Sequence, residues 1–173
     1  MIRSIPHTLI AVSLLVCSSL NLLAASITGE HETWHSITLT FEGPQSLEKA
    51  TPNPFTDYRL EAVFRKTGSS REYKVPGYFA ADGNAAESGA NSGNKWRVRF
   101  APDEPGNWNY RVSFRKGSGI AISDEQGDSA GYMDGESGSF EITASTKQAP
   151  DLRSKGRLEV VGEDAKRRKA IVL

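Results

Sequence analysis

The stretch NKWRVRFAPDEPGNWNYRVSF, Asn94–Phe114, alternates apolar and polar residues on both sides of a corner rich in proline and glycine. The apolar positions of the stretch are large side chains: Trp96, Val98, Phe100, Trp108, Tyr110, Val112 and Phe114. A period of two, with β-branched and aromatic residues on one face, is typical of half-buried antiparallel strands. The stretch therefore predicts a β-hairpin whose tryptophans belong to a hydrophobic core.

The same alternation recurs between residues 37 and 143. The other strand segments are bounded by proline, glycine or serine turns and comprise Ile37–Phe41, Tyr58–Phe64, Arg71–Phe79 and Ser139–Thr143. Roughly seven strands at this spacing, with no helical period between them, are typical of two packed antiparallel sheets. The sequence predicts an all-β fold, an immunoglobulin-like antiparallel β-sandwich of about seven strands over residues 30–146.

The corner before Trp108 carries a second indication of that fold. Pro102, Gly106 and Tyr110 are arranged as in the tyrosine corner of immunoglobulin-like domains, where the tyrosine hydroxyl bonds to backbone upstream. We therefore predict a hydrogen bond from the Tyr110 hydroxyl to a backbone group of the corner.

Residues 1–25 have the layout of a secretory signal peptide, with Arg3 near the start, an apolar run and two alanines at the end. The apolar run, residues 9–23, is interrupted by serines and is shorter than the roughly 20 residues of a membrane anchor. We expect a secreted or periplasmic protein with no membrane attachment after cleavage. The single cysteine, Cys17, lies inside this segment, so the exported chain depends on its core rather than on disulfides.

The charge balance argues against nucleic acid as a partner. Lys plus Arg number 21 and Asp plus Glu number 21, which gives a formal net charge of zero. Proteins that bind nucleic acid through phosphate contacts carry a basic excess or stripe. The interspersed charges are instead typical of an exported soluble surface.

The chain shows no catalytic motif: it has no nucleophile elbow, phosphate loop, zinc motif or dinucleotide fingerprint. We expect His31 and His35, near the start of the exported chain, to be exposed polar residues. Most candidate carboxylates lie in two long polar loops, residues 82–95 and 116–138, where solvated charge is the expected state. The sequence therefore predicts a chain that is not an enzyme and holds no catalytic residue.

No cofactor is expected, with Ca²⁺ as the open alternative. Asp124, Asp128 and Asp134 carry the oxygen ligands that Ca²⁺ takes. Their spacing does not match that of a helix–loop–helix calcium loop. The same loops could equally be solvated segments without metal.

Exposed aromatic rings are the usual platform for sugars, because a flat ring stacks against the face of a pyranose. Trp96, Trp108 and Tyr110 fit the inward period, so core packing is their expected role. Tyr78 points away from Phe79 within one strand segment, and Tyr132 lies in a loop. We predict these two tyrosines as the candidate ligand contacts.

Four motifs occur in order along residues 32–143: WHSITLTFEGP, NPFTDYRLEAVF, VPGYFAADGN and RVRFAPDEPGNWNYRVSF. Together they resemble the family called domain of unknown function 5060. The resemblance implies an immunoglobulin-like β-sandwich at the N-terminus of secreted bacterial proteins taken to be glycoside hydrolases. It brings no established catalytic residue to this domain.

The segment DLRSKGRLEVVG, starting at Asp151, resembles the lead from this domain into the catalytic one. Residues 147–173 are therefore expected to be a linker or the shortened start of a following domain. A truncated or frame-shifted reading frame, or a stand-alone copy of the module, would account for the absent hydrolase domain.

Two functional hypotheses follow. The favoured one is a non-catalytic accessory module of a glycoside hydrolase, which packs on a catalytic domain or helps to bind polysaccharide. The alternative is a structural spacer or protein-interaction domain without affinity for sugar.

Overall fold

The computed structural model describes residues 25–161 and 169–172. Its strands are β1 (Ser26–Thr28), β2 (Ile37–Leu47), β3 (Tyr58–Lys66), β4 (Glu72–Phe79), β5 (Ser92–Phe100), β6 (Gly106–Lys116), β7 (Asp128–Ser129), β8 (Ser137–Ile142), β9 (Leu158–Val161) and β10 (Lys169–Val172). The helical elements are α1 (Ala85–Ser88) and two 3₁₀ turns, Ile120–Ile122 and Leu152–Ser154. The predicted signal peptide, residues 1–25, lies outside the described residues except for Ala25.

The main sheet has the order β1-β2-β5-β4-β3-β6, and both β7 and β8 pair with the free edge of β6. Every pair in it is antiparallel. The groups β1-β2-β5 and β3-β6-β8 correspond to the A-B-E and C-F-G strands of the two immunoglobulin sheets. The prediction of an all-β, immunoglobulin-like fold of about seven antiparallel strands is confirmed.

Strand β4 joins the two halves of the sandwich into one curled sheet. Its first part, up to Pro76, pairs with β3, and its last part, Gly77–Phe79, pairs with β5. A proline removes a ladder donor inside a strand. The change of partner at Pro76 is where β4 leaves one half for the other.

Inward aromatic rings hold the halves together. Phe64 of β3 and Phe100 of β5 stack with ring centroids 4.2 Å apart, and Trp96 of β5 meets Phe114 of β6 edge-on at 4.8 Å. Aromatic pairs in these geometries stabilise by about 0.5–1.5 kcal/mol beyond their burial. The alternation in Asn94–Phe114 therefore predicts the core correctly.

The prediction of a hairpin within Asn94–Phe114 is wrong, because β5 and β6 do not pair with each other. β5 pairs with β2 and β4, whereas β6 pairs with β3, β7 and β8. The corner between them crosses from one half of the sandwich to the other. Alternation shows which side chains face inward, but it is the same for a hairpin and for a crossing connection.

The predicted tyrosine corner is also wrong in its hydrogen bond. The Tyr110 hydroxyl lies 3.4 Å from Glu136 Oε1, a side chain of the loop before β8. The bond to corner backbone is made by Trp108, whose Nε1 donates to the Glu104 carbonyl oxygen at 3.0 Å. Burial, followed by the Glu136 carboxylate, raises the pKa of Tyr110 to about 12.

The two long polar loops are tied to the sandwich by specific bonds. Arg59 of β3 donates to the carbonyl oxygens of Ile120 and Glu125 at 3.3 and 2.7 Å. In the other loop, α1 follows a turn in which Asp82 Oδ1 accepts from the Asn84 amide at 2.7 Å. Both loops therefore have fixed positions beside the strands that they connect.

The remaining described segments lie at the two termini. Strand β1 precedes residue 30, the predicted start of the domain. Within residues 147–173, which were expected to be a linker or the start of a following domain, strand β9 pairs with strand β10. Among the described residues, no helix combines the length and apolar character needed to span a bilayer.

Candidate ligand groove and the acidic turn

Tyr78 lies on the outer face of β4, directly opposite Arg97 of β5. Its side chain is exposed while the next residue, Phe79, is buried in the core, as the alternation predicts. The Arg99 guanidinium stands 5.9 Å from the centre of the Tyr78 ring, within the range of a cation–π contact. Tyr78 therefore presents a ring to solvent beside two arginines.

The change of partner in β4 creates the depression next to Tyr78. A Cβ atom at Gly77 would lie 2.4 Å from Leu60 Cδ2, so only glycine lets the strand cross over the Leu60 side chain. Beyond the crossing, Phe55 of the β2–β3 loop packs edge-on against Phe79, with ring centroids 5.9 Å apart. About half of the Phe55 surface remains exposed, at 51%.

Two clefts share Phe55, Tyr78 and Phe79 as walls, and we call them together the Phe55–Tyr78 groove. One has a volume of about 260 Å³ and the other of about 200 Å³. The first cleft is completed by polar side chains and the turn after β4: Glu48, Ala80, Ala81, Gly83, Asn84, Ala85, Ala86, Arg97 and Arg99. The second runs over the crossing of β4: Pro54, Tyr58, Arg59, Leu60, Glu61, Pro76, Gly77, Trp96 and Ala121.

The charge in the first cleft is mainly positive. Arg97 Nε donates to Thr40 Oγ1 at 3.2 Å, which fixes the guanidinium on the outer face of the sheet. Arg99 forms no ion pair with a carboxylate in the part of the chain that the structure describes, and its neighbour is the Tyr78 ring. An arginine in this state keeps its hydrogen-bond donors available to a ligand.

Tyr132, the second predicted contact, is exposed in the loop between β7 and β8 and lines neither cleft of the groove. Its backbone has φ +53°, the left-handed region that few residues other than glycine adopt. The neighbouring Met133 is buried in the core and anchors this loop. The structure thus does not bring Tyr132 and Tyr78 together in one groove.

The aspartates considered for Ca²⁺ have different surroundings. Asp134 Oδ1 accepts from the Phe114 amide at 2.8 Å, and its Oδ2 lies 3.5 Å from Arg115 Nη1. That carboxylate therefore already holds the β7–β8 loop against β6. The expectation of no cofactor, with Ca²⁺ at Asp124, Asp128 and Asp134 as the open alternative, stays a prediction.

Sequence reasoning missed the burial of two residues that it had expected to be solvated. One is Glu136, a carboxylate of the loop 116–138 that is only 6% exposed, and the other is His35. His35 was expected to be exposed, which is wrong: only 3% of its surface is accessible. The signal was present in the sequence, because His35 shares the inward parity of Ile37 and Leu39. His31, in contrast, is exposed as predicted.

His35 ends a turn in which two glutamates approach its ring, and we call Glu30, Glu32 and His35 the acidic turn. His35 Nδ1 lies 2.8 Å from the Thr33 carbonyl oxygen, and His35 Nε2 lies 3.3 Å from Glu30 Oε2. Glu32 accepts from the Thr146 amide at 2.8 Å, and Lys147 Nζ lies 3.0 Å from Glu30 Oε2. The segment after β8 therefore folds back onto this turn.

Comparison with known proteins gives a family and a fold. Residues 30–115 match the model of the family described as "Domain of unknown function (DUF5060)". The fold is similar to a crystal structure of "a putative glycoside hydrolase from Bacteroides vulgatus ATCC 8482", with a TM-score of 0.51 and 24% sequence identity. The alignment covers 78% of this chain and 19% of that chain. No curated protein matches this chain.

Proposed function

The chain belongs to the DUF5060 family over residues 30–115, and on this premise we propose that it is a non-catalytic, polysaccharide-binding module of a secreted glycoside hydrolase. The description of the similar Bacteroides vulgatus protein suggests the catalytic partner. The Phe55–Tyr78 groove is the proposed binding site. No residue of the chain is assigned a catalytic role.

The observation that carries the proposal is the exposed pair of rings at the groove. Tyr78 is 39% exposed and Phe55 is 51% exposed. Contact with water is unfavourable for large aromatic side chains, whose burial would stabilise the protein. Aromatic walls beside convergent polar groups are typical of sugar-binding clefts. A sugar ring stacked on Tyr78 would cover apolar surface while its hydroxyls face the arginines.

The two arginines favour an acidic sugar over a neutral one. A guanidinium pairs with a carboxylate through two parallel hydrogen bonds, and Arg99 lines the first cleft beside Tyr78. The carboxylate of a uronic acid residue would therefore gain a charge-assisted contact that a neutral hexose lacks. We infer that the preferred ligand is a polysaccharide with carboxylated residues.

The carboxylates near the groove support binding without hydrolysis. Glu48 lines the first cleft, and Glu61 lines the second cleft. The Glu61 carboxylate is paired with Lys74 Nζ at 2.8 Å. Glycoside hydrolysis needs an acid and a base or nucleophile on either side of one bond. Glu48 and Glu61 line different clefts, which favours binding over hydrolysis.

A second candidate, a spacer that directs a following domain, has an observation of its own. The segment after β8 is held on the sandwich through Glu30 and Glu32, and Gly156 lies so close to Trp34 that an added Cβ would be 3.0 Å from its ring. Such contacts would fix the direction in which the chain leaves the module. This role and polysaccharide binding can coexist.

Affinity electrophoresis on acidic and neutral polysaccharides tests the proposal. We expect the full chain to be retarded by an acidic polysaccharide and the Tyr78→Ala variant to migrate as if no polysaccharide were present. Retardation that is lost with Tyr132→Ala and kept with Tyr78→Ala would place the site on the β7–β8 loop instead. No retardation on any polysaccharide would leave the spacer role.

A further inference from the structure

The acidic turn places three metal-ligating side chains around one point. The ligand atoms of Glu30, Glu32 and His35 all lie within 4.8 Å of one another. His35 is buried, Glu32 is half-buried and Glu30 is exposed. A small ion could therefore reach the His35 ring from the side of the glutamates.

The hydrogen bonds of His35 decide which ring nitrogen carries the proton. A carbonyl oxygen can only accept, so the 2.8 Å contact with the Thr33 carbonyl makes Nδ1 the donor. In the neutral ring, Nε2 is then an acceptor with a free lone pair. Metal-ligating histidines typically donate their other ring nitrogen to a backbone carbonyl in this way.

The surroundings of Nε2 lack a hydrogen bond. This atom is buried without any hydrogen-bond partner, and its neighbour is Glu30 Oε2 at 3.3 Å. Two acceptors that face each other repel unless a proton or a cation lies between them. The geometry therefore requires a positive species between Nε2 and the glutamate.

The two glutamates are held in place by the segment after β8. Lys147 Nζ lies 3.0 Å from Glu30 Oε2, and the Thr146 amide and hydroxyl donate to the Glu32 carboxylate at 2.8 and 3.0 Å. The site would offer carboxylate oxygens together with one imidazole nitrogen. This donor set suits divalent transition metal ions, of which Zn²⁺ is the representative.

We propose that Glu30, Glu32 and His35 bind a divalent transition metal ion such as Zn²⁺, and that Lys147 competes with the metal for Glu30. The Lys147 ammonium lies 3.0 Å from Glu30 Oε2, and Arg153 approaches the other oxygen at 4.0 Å. Lysine has a flexible stem that can move its charge into solvent. Metal binding would therefore displace the Lys147 ammonium from Glu30. The 144–157 segment would then be held less firmly on the acidic turn.

The test is calorimetric titration of Zn²⁺ into the full chain, purified without a polyhistidine tag and treated with a chelator. We expect one ion per chain, at least about tenfold weaker binding in Glu30→Gln and Glu32→Gln, and tighter binding in Lys147→Ala. His31→Ala is the matched control, because His31 is an exposed histidine beside the turn and is no part of the proposed site. Binding that His31→Ala removes, or that no variant of the acidic turn weakens, would overturn the proposal.

Nitrogen-15 NMR of the histidine rings provides a second readout that does not need a folded His35 variant. We expect Nδ1 of His35 to carry its proton with and without metal, because it faces the Thr33 carbonyl oxygen, and Zn²⁺ to shift the Nε2 resonance. A doubly protonated His35 whose resonances stay unchanged on addition of Zn²⁺ would show that a proton, not a metal, lies between Nε2 and Glu30. That result would refute the metal site and leave the groove proposal untouched.

Discussion

The Phe55–Tyr78 groove and the acidic turn differ in charge and in how far their side chains are paired within the chain. The groove carries arginines, and the acidic turn carries glutamates. In the groove, Arg99 stands over the Tyr78 ring, and the aromatic walls remain exposed. In the acidic turn, Glu30 and Glu32 are already paired with the chain's own Lys147 and Thr146. The groove therefore leaves its aromatic and cationic side chains to solvent, whereas the acidic turn is occupied by the chain's own lysine.

The largest effect is expected from a substitution of Trp96, the core side chain that packs beneath the groove. Trp96 is 1% exposed and packs on Phe79 and Phe114 with ring centroids at 5.3 and 4.8 Å. We expect Trp96→Ala to lower the free energy of unfolding by about 3–5 kcal/mol, measured by equilibrium urea unfolding. Trp34→Ala, at the half-buried tryptophan beside the acidic turn, is the matched variant and should lose clearly less. Equal losses in the two variants would contradict the central place of Trp96 in the hydrophobic core.

The second effect concerns alkaline pH. The pKa of Tyr110 is raised from its ordinary value to about 12, so its contribution to stability is complete below pH 10 and is lost as the pH rises from about 10 to 12. A shift of this size corresponds to at most about 2–3 kcal/mol. We expect spectrophotometric titration of the folded chain to show one tyrosine that ionises near pH 12 and is absent from Tyr110→Phe. Unchanged titration in that variant would contradict the burial of the hydroxyl beside Glu136.

The third prediction sharpens the difference in charge between the two regions. Arg99→Gln removes the cation of the groove that lies over Tyr78. We expect about tenfold weaker binding of an acidic polysaccharide, the size of one lost charge-assisted hydrogen bond, and no change for a neutral one. Arg111→Gln, at an exposed arginine of β6, is the matched control and should bind as the parent chain does. Equal weakening by both variants would point to general charge attraction rather than a site.

The smallest effect is expected at the acidic turn below neutral pH. The pKa values of Glu30 and Glu32 are lowered, first by the bonds from Lys147 and Thr146 respectively. Their contribution is therefore present above the ordinary carboxyl pKa and is lost as the pH falls through the lowered values. We expect amide hydrogen exchange in residues 144–157 to speed up at acid pH, while the strands around the groove stay protected. Uniform loss of protection in both regions would contradict a local role for these glutamates.

The strands and the core could be predicted from the sequence because alternation is a local property. The inward positions of Trp96, Trp108 and Phe114 follow from a period of two alone. The same parity extends back to His35, so its burial could have been found. Alternation does not determine which strands pair with each other. β5 and β6 follow one another as the strands of a hairpin would, yet they lie in different halves of the sandwich.

The candidate sites depend on contacts between distant parts of the chain. Phe55 and Arg99 meet at Tyr78 only because β4 changes its partner at Pro76 and Gly77. A proline and a glycine inside a strand mark an irregularity, but they do not say which sheets it joins. Lys147 and Glu30, similarly, come together from opposite ends of the domain.

Binding of an acidic sugar in the Phe55–Tyr78 groove can be tested by NMR titration of the labelled full chain with an oligosaccharide of uronic acid residues. We expect amide and aromatic shifts that cluster at Phe55, Tyr78 and residues 97–99, with the sugar recovered unchanged at the end. Shifts confined to the loop around Tyr132, or cleavage of the oligosaccharide, would contradict this expectation.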